Sequence, residues 1–207
     1  MAKLESTFKN MVLSLVSISV VAAVALAGVF LLTSANIENQ KAQKQQKAIM
    51  DVLPQKGEGA QIAEPKQVGD VVIYRATKDG EEIGAAVQVS EMGFGGAQKL
   101  MVGFDAEGKI VDYAVLEHQE TPGLGDKIVF WFKNAEKPGQ NILGREGKNL
   151  VVRKDAGGNV DAITAATISS RAFLRAINKA YAAYMGSTDA HSGASKQVKE
   201  EKEADHE

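Results

Sequence analysis

The sequence predicts an α+β domain, an antiparallel sheet with packed helices, preceded by one N-terminal transmembrane helix. Three observations carry that expectation. Residues 11–33 form an apolar run without a single charged side chain. Between 71 and 116, short apolar segments are punctuated by Asp79-Gly80 and Asp105-Ala106-Glu107-Gly108, the signature of successive hairpins. From 166 to 184, Phe173, Ile177 and Tyr181 repeat at four-residue spacing, as on one face of a helix.

A bilayer core needs about 20 apolar residues of helix, and the run at 11–33 meets that length. A globular helix is rarely apolar on every face over such a span. Ala25-Leu26-Ala27 has the small residues of a signal-peptide cleavage site. The run continues through Val29-Phe30-Leu31-Leu32, which favours an uncleaved anchor. Lys3 and Lys9 precede the helix and Lys41, Lys44 and Lys47 follow it, so the positive-inside count leaves its orientation undecided.

Residues 34–68 read as a helical stalk and linker. The stretch 36–53 is polar and rich in helix formers, with a disordered stalk as the alternative; Pro54, Gly57 and Gly59 end it. The folded domain is expected over 69–186. Its strands are Val71 to Tyr74, Ile83 to Val89, Leu100 to Phe104, Ile110 to Leu116 and a short one at 150–153. A glycine cluster at 93–96 separates the first hairpin from the second, and Asp126 to Phe132 is predicted as a short helix. Residues 187–207 are polar and charged, the composition of a disordered tail.

Composition narrows the chemistry. There are 24 Lys+Arg against 26 Asp+Glu, for a formal net charge of -2, which gives no basic face for nucleic acid. Cysteine is absent, so disulfides, iron–sulfur clusters and thiolate zinc sites are excluded. The three histidines are His118, His191 and His206, and the last two lie in the polar tail. No metal site is expected, and any electron carrier here has to be organic.

Two segments have the residues for ligand chemistry. In 161–170, Thr164 is placed to cap the last helix and Thr167 to fall in its first turn. Backbone N–H groups there lack intrahelical partners and the helix dipole is positive, so a phosphate is a natural ligand. The small Ala165 and Ala166 allow a bulky group to approach. Ordinary capping by Ser and Thr explains the same residues. In 118–125, Glu120 and Thr121 precede Pro122, which fixes one φ, and Gly123 and Gly125, which permit positive φ. Such a rigid turn can present Glu120 and Thr121 to the edge of a heterocycle, or it simply ends a strand.

The Glu120-Thr121-Pro122-Gly123-Leu124-Gly125 turn and the Asp161-x-x-Thr164-x-Ala166-Thr167 segment together resemble the FMN-binding domain family. Within it, the chain is similar to the G subunits of Rnf-type (ferredoxin:NAD oxidoreductase) electron-transport complexes. The C subunits of sodium-translocating NADH:quinone reductases are longer relatives. The resemblance implies FMN joined through its phosphate to Thr167, a modification made by a separate flavin transferase. Glu120, Thr121, Gly123 and Leu124 would line the isoalloxazine, and Thr164, Ala165 and Ala166 the phosphate end. It further implies a redox subunit, not catalytic alone, docked to the other membrane subunits of an ion-translocating complex. Residues 1–10 would be cytoplasmic and the flavin domain would lie on the periplasmic side of the inner membrane. One departure is visible: the family carries glycine where this chain has Ala165, and the added methyl is expected to be tolerated in a helical first turn. A membrane-anchored flavin sensor or regulatory module, a C subunit of a sodium-translocating NADH:quinone reductase, and a flavin-free scaffolding ectodomain are the alternatives.

Overall fold

The computed structural model describes residues 7–186. The expected tail at 187–207, with His191 and His206, and the first residues of the expected cytoplasmic segment lie outside the described residues. The chain divides into two units, 1–44 and 45–207. Helix α1 spans Phe8–Val52; its last turns, from Gln45, belong to the second unit.

In the first unit, Phe8–Ser34 is long and apolar enough to cross a membrane by length and composition. Leu13, Ile18, Leu26 and Leu32 are exposed. An exposed helix that is apolar on all sides lacks the stripe pattern of a surface helix on a globular core.

The second unit is built on a six-stranded antiparallel sheet. Its strands are β1 (Gln61–Ile62), β2 (Lys66–Val68), β3 (Val71–Lys78), β4 (Glu81–Met92), β5 (Ala97–Asp105) and β6 (Ile110–Glu117), in the order β1-β3-β4-β5-β6 with β2 also paired to β3. The sheet therefore begins inside the stretch read as linker. The β3–β4 turn holds Asp79 at φ 54° and Gly80 at φ 86°, both left-handed, as a type I′ hairpin requires. The segment at 150–153 is not a strand. It makes only a parallel bridge between Val152 and Val160, because the Asn159 side chain takes the N–H of Val151 and supports a tight loop instead of a ladder.

Side chains alternate across the pleat, so each strand supplies two faces, and both are covered. Val87 and Val89 of β4, and Leu100, Val102 and Phe104 of β5, face helix α2 (Thr167–Tyr184) with its buried Phe173, Ile177 and Ala180. The same layer holds two 3₁₀ turns, Gly125–Val129 and Trp131–Lys133, where the sequence predicts one short helix. Phe173 stacks on Phe132 at 4.5 Å between ring centroids and meets Tyr113 edge-on at 4.8 Å. The Tyr113 hydroxyl donates to the Ile128 carbonyl at 2.9 Å.

The opposite face is covered by the end of α1. Ala48, Ile49, Val52 and Leu53 pack on Ala76, Ala86, Met101 and Leu116. Gly103 of β5 is the contact point: a Cβ there would overlap the Val52 carbonyl. Adding that methyl should loosen the helix end from the sheet at a cost of about 1–3 kcal/mol, the usual range for overpacking. Gly103→Ala is thus expected to speed amide hydrogen exchange over residues 45–53 while leaving exchange in α2 nearly unchanged.

Candidate functional site

The two segments singled out in the sequence converge on one pocket of about 300 Å³, lined by Phe94, Glu120, Thr121, Leu124, Gly125 and residues 165–169. That volume is within the range of small-molecule sites. It brings together Glu120, Thr121, Leu124, Ala165, Ala166 and Thr167. It leaves two expected residues aside. Gly123 does not line the pocket, and Thr164 lines a separate cleft with Arg153, Lys154 and Asp161.

Both walls are four-residue turns. Thr121 to Leu124 is closed by the Leu124 N–H to the Thr121 carbonyl at 3.1 Å. Pro122 is its second residue and Gly123 its third, at φ 76°, the arrangement of a type II turn. Gly123 thus gives the wall its bend. Gly125 differs from expectation: its φ is not positive. It is small because a Cβ would sit 2.6 Å from Glu120 Oε2 and 2.9 Å from Ser169 Oγ.

The opposite wall is Ile163 to Ala166, closed by the Ala166 N–H to the Ile163 carbonyl at 3.0 Å. Ser170 ties it down. Its hydroxyl donates to the Ala166 carbonyl at 2.9 Å and accepts from the Ile163 N–H at 3.0 Å. Trp131 Nε1 donates to the Asp161 carbonyl at 2.9 Å and holds the approach to the turn. The turn displaces the helix start by two residues: Ala166, not Thr164, is the N-cap, and it makes no side-chain cap. Thr167 is the first helical residue, half-buried, and lines the pocket.

Ala165 also departs from expectation. It is not in the helical first turn; it stands third in the turn before it, at φ 63°. Left-handed backbone brings Cβ against the following carbonyl and costs a non-glycine residue about 1–2 kcal/mol.

Glu120 is 5% exposed and fully engaged. Its Oε1 accepts from the Phe94 N–H at 3.1 Å and from Gln98 Nε2 at 2.7 Å. Its Oε2 accepts from Ser169 Oγ at 2.6 Å. Burial alone would raise its pKa. The hydrogen bonds from Ser169, Gln98 and the Phe94 and Gly95 backbone outweigh that and hold it below the ordinary glutamate value. The Glu120 N–H donates to His118 Nδ1 at 3.3 Å, so His118 orients the turn, and no group of metal-ligating side chains occurs among the described residues. Sequence reasoning missed Phe94, Gln98, Ile168 and Ser169. The only local signal was the glycine cluster: a Cβ at Gly93 would overlap Glu120 Oε1.

Comparison with known proteins places this geometry. The FMN-binding domain family matches residues 93–182, which contain both walls. The G subunit of the ion-translocating oxidoreductase complex of Haemophilus influenzae is 34% identical over 172 residues, 76% of this chain and 80% of that protein. The chain belongs to this G-subunit family. The Escherichia coli O157:H7 member is 35% identical over 68% of this chain and 74% of its own length. With the Yersinia pestis member, at 40% identity, the match spans about half of each protein, 53% of the relative and 52% of this chain. The crystal structure of the C subunit of the Na(+)-translocating NADH-quinone reductase of Parabacteroides distasonis shares the fold. Its TM-score is 0.53 at 20% identity, covering 74% of this chain and 95% of that one.

The pocket suits FMN at both ends. The start of α2 has no side-chain cap, and uncapped first-turn N–H groups are the donors that an anion such as a phosphate takes at a helix start. Phe94, Leu124 and Ile168 are exposed apolar side chains around the same pocket, suited to an aromatic ring.

Two outcomes follow. Ala165→Gly should relieve the left-handed strain, partly offset by the roughly 0.5–1 kcal/mol that glycine loses in unfolded-state entropy. A net gain of about 0.5–1 kcal/mol is expected, read as a raised thermal midpoint. Because the folded pKa of Glu120 lies below its unfolded value, its contribution is complete above the ordinary glutamate range. It is lost as pH falls toward the folded pKa. Glu120→Gln should therefore flatten the acid limb of stability against pH, measured by denaturant unfolding at successive pH values.

Proposed function

We propose that this chain is the electron-transfer subunit of a membrane-bound ion-translocating oxidoreductase complex, with FMN held by a phosphoester to Thr167. The observation that carries the reading is the single pocket in which Thr167, the uncapped start of α2 and the Glu120 turn meet. Bound FMN supplies the capacity to take up and release electrons, which no side chain here provides.

The chain's own residues bind and orient. Thr167 Oγ1 contributes the ester oxygen, and the first-turn N–H groups of α2 face the phosphate charge. Phe94, Leu124 and Ile168 cover apolar ring surface and exclude water, while Thr121 and Glu120 form the polar side. The apolar segment at 8–34 anchors the chain in the inner membrane, with the flavin domain on the periplasmic side. It docks to the larger membrane subunits of an Rnf-type complex, and its uncharged run at 11–33 offers no charged side chain to an ion path. A flavin transferase makes the Thr167 bond.

The test is the intact mass of the protein from its native membrane beside Thr167→Val. The expected result is a gain of one FMN less one water, lost in the variant, with flavin fluorescence that survives a denaturing gel. An unmodified mass from cells with an active flavin transferase would remove Thr167 as the attachment site and favour a sensor or scaffold role.

A further inference from the structure

The carboxylate of Glu120 is built in with more care than a pocket wall requires. Two side chains from separate elements, Gln98 on β5 and Ser169 in the first turn of α2, donate to it. Gln98 Nε2 also reaches the Ser169 carbonyl at 3.2 Å, and Gln98 is itself fully buried. Two glycines leave room for the carboxylate: a Cβ at Gly93 would overlap Oε1, and one at Gly125 would crowd Oε2. A carboxyl needed only for its shape would be served as well by a glutamine. This one receives donors on both oxygens, an arrangement that favours the charged form.

We propose that Gln98 and Ser169 are positioning residues that keep Glu120 as a fixed negative charge in the wall of the flavin pocket, and that this charge lowers the midpoint potential of the bound flavin. The inference rests on the flavin reading above. Electron uptake adds negative charge to the pocket. A like charge held in a partly dry site opposes it, since Coulomb interactions there are several times stronger than in water. The titratable groups nearest it along the surrounding elements are Glu117 at the end of β6, His118 beside the turn, Asp126 and Lys127 in the 3₁₀ turn, and Glu91 and Lys99 on β4 and β5. Arg171 and Arg175 on α2 are engaged by Asp155 and Glu91. The Glu120 carboxylate is not paired to a cation in any described ion pair.

The experiment is spectroelectrochemical titration of the full-length, flavin-loaded protein in detergent. Wild type, Glu120→Gln and Ser169→Ala are compared across pH, with flavin content fixed by mass. Glu120→Gln should shift the reduction equilibrium at least tenfold toward reduced flavin, about 30 mV upward for a two-electron couple. Ser169→Ala should match wild type at high pH. It should rise toward the Glu120→Gln value as pH falls, with the rise starting at higher pH than in wild type. Infrared spectroscopy should show the Glu120 carboxylate band disappearing over the same interval. A loaded Glu120→Gln protein with the wild-type potential overturns the proposal, as does a Ser169→Ala protein that loses stability without moving the pH profile. Should neither variant load, wild type alone decides: an upward step in potential that coincides with loss of the carboxylate band supports the proposal, and its absence overturns it. A wild-type protein without flavin would instead sink the flavin reading, so the two failures are distinguishable.

Discussion

A single buried carboxylate joins the parts of this site. Glu120 accepts hydrogen bonds from the glycine cluster after β4, from β5 and from the first turn of α2. Each donor sits in an irregular segment or near the end of an element, and each is a polar group that must find a partner once buried. Removing the acceptor would leave a buried amide and a buried hydroxyl short of partners, at a cost of about 1–3 kcal/mol each. The pocket exists because these three segments are held together at the mouth of the sheet.

Space around that carboxylate is as constrained as its charge. Gly93 and Gly125 serve by lacking a side chain, whereas Gly123 serves by adopting φ 76°. The facing wall repeats the Gly123 conformation with Ala165 at φ 63°. Backbone strain of this kind persists where the surroundings over-determine it. Here the surroundings are the Ser170 hydroxyl on both ends of the turn and Trp131 on its approach.

The layers beneath make the site rigid. The sheet is covered on one face by α2 and on the other by the last turns of α1. Phe132, Phe173 and Tyr113 form the aromatic floor of the α2 layer, one pair stacked and one edge-on. Thr167 therefore stands at the first position of a helix whose other end is locked into the core through Tyr184.

The sequence by itself determined the local elements. Short apolar segments with the Asp79-Gly80 and Asp105 to Gly108 turns marked β3 to β6, helical spacing marked α2, and an uncharged run marked the apolar helix, because each pattern reports short-range geometry. Two motifs also pointed to the site, since Pro-Gly and a Thr-rich helix start have meaning within a few residues. Only the tertiary structure decided the rest. Gln98 and Ser169 reach Glu120 across separations of 22 and 49 residues, and neither has a local signature. The short strands β1 and β2 exist only because β3 offers them an edge. The two-residue shift of the cap from Thr164 to Ala166, and with it the left-handed Ala165, came from Ser170 and Trp131 holding a turn that propensity alone would have drawn into the helix.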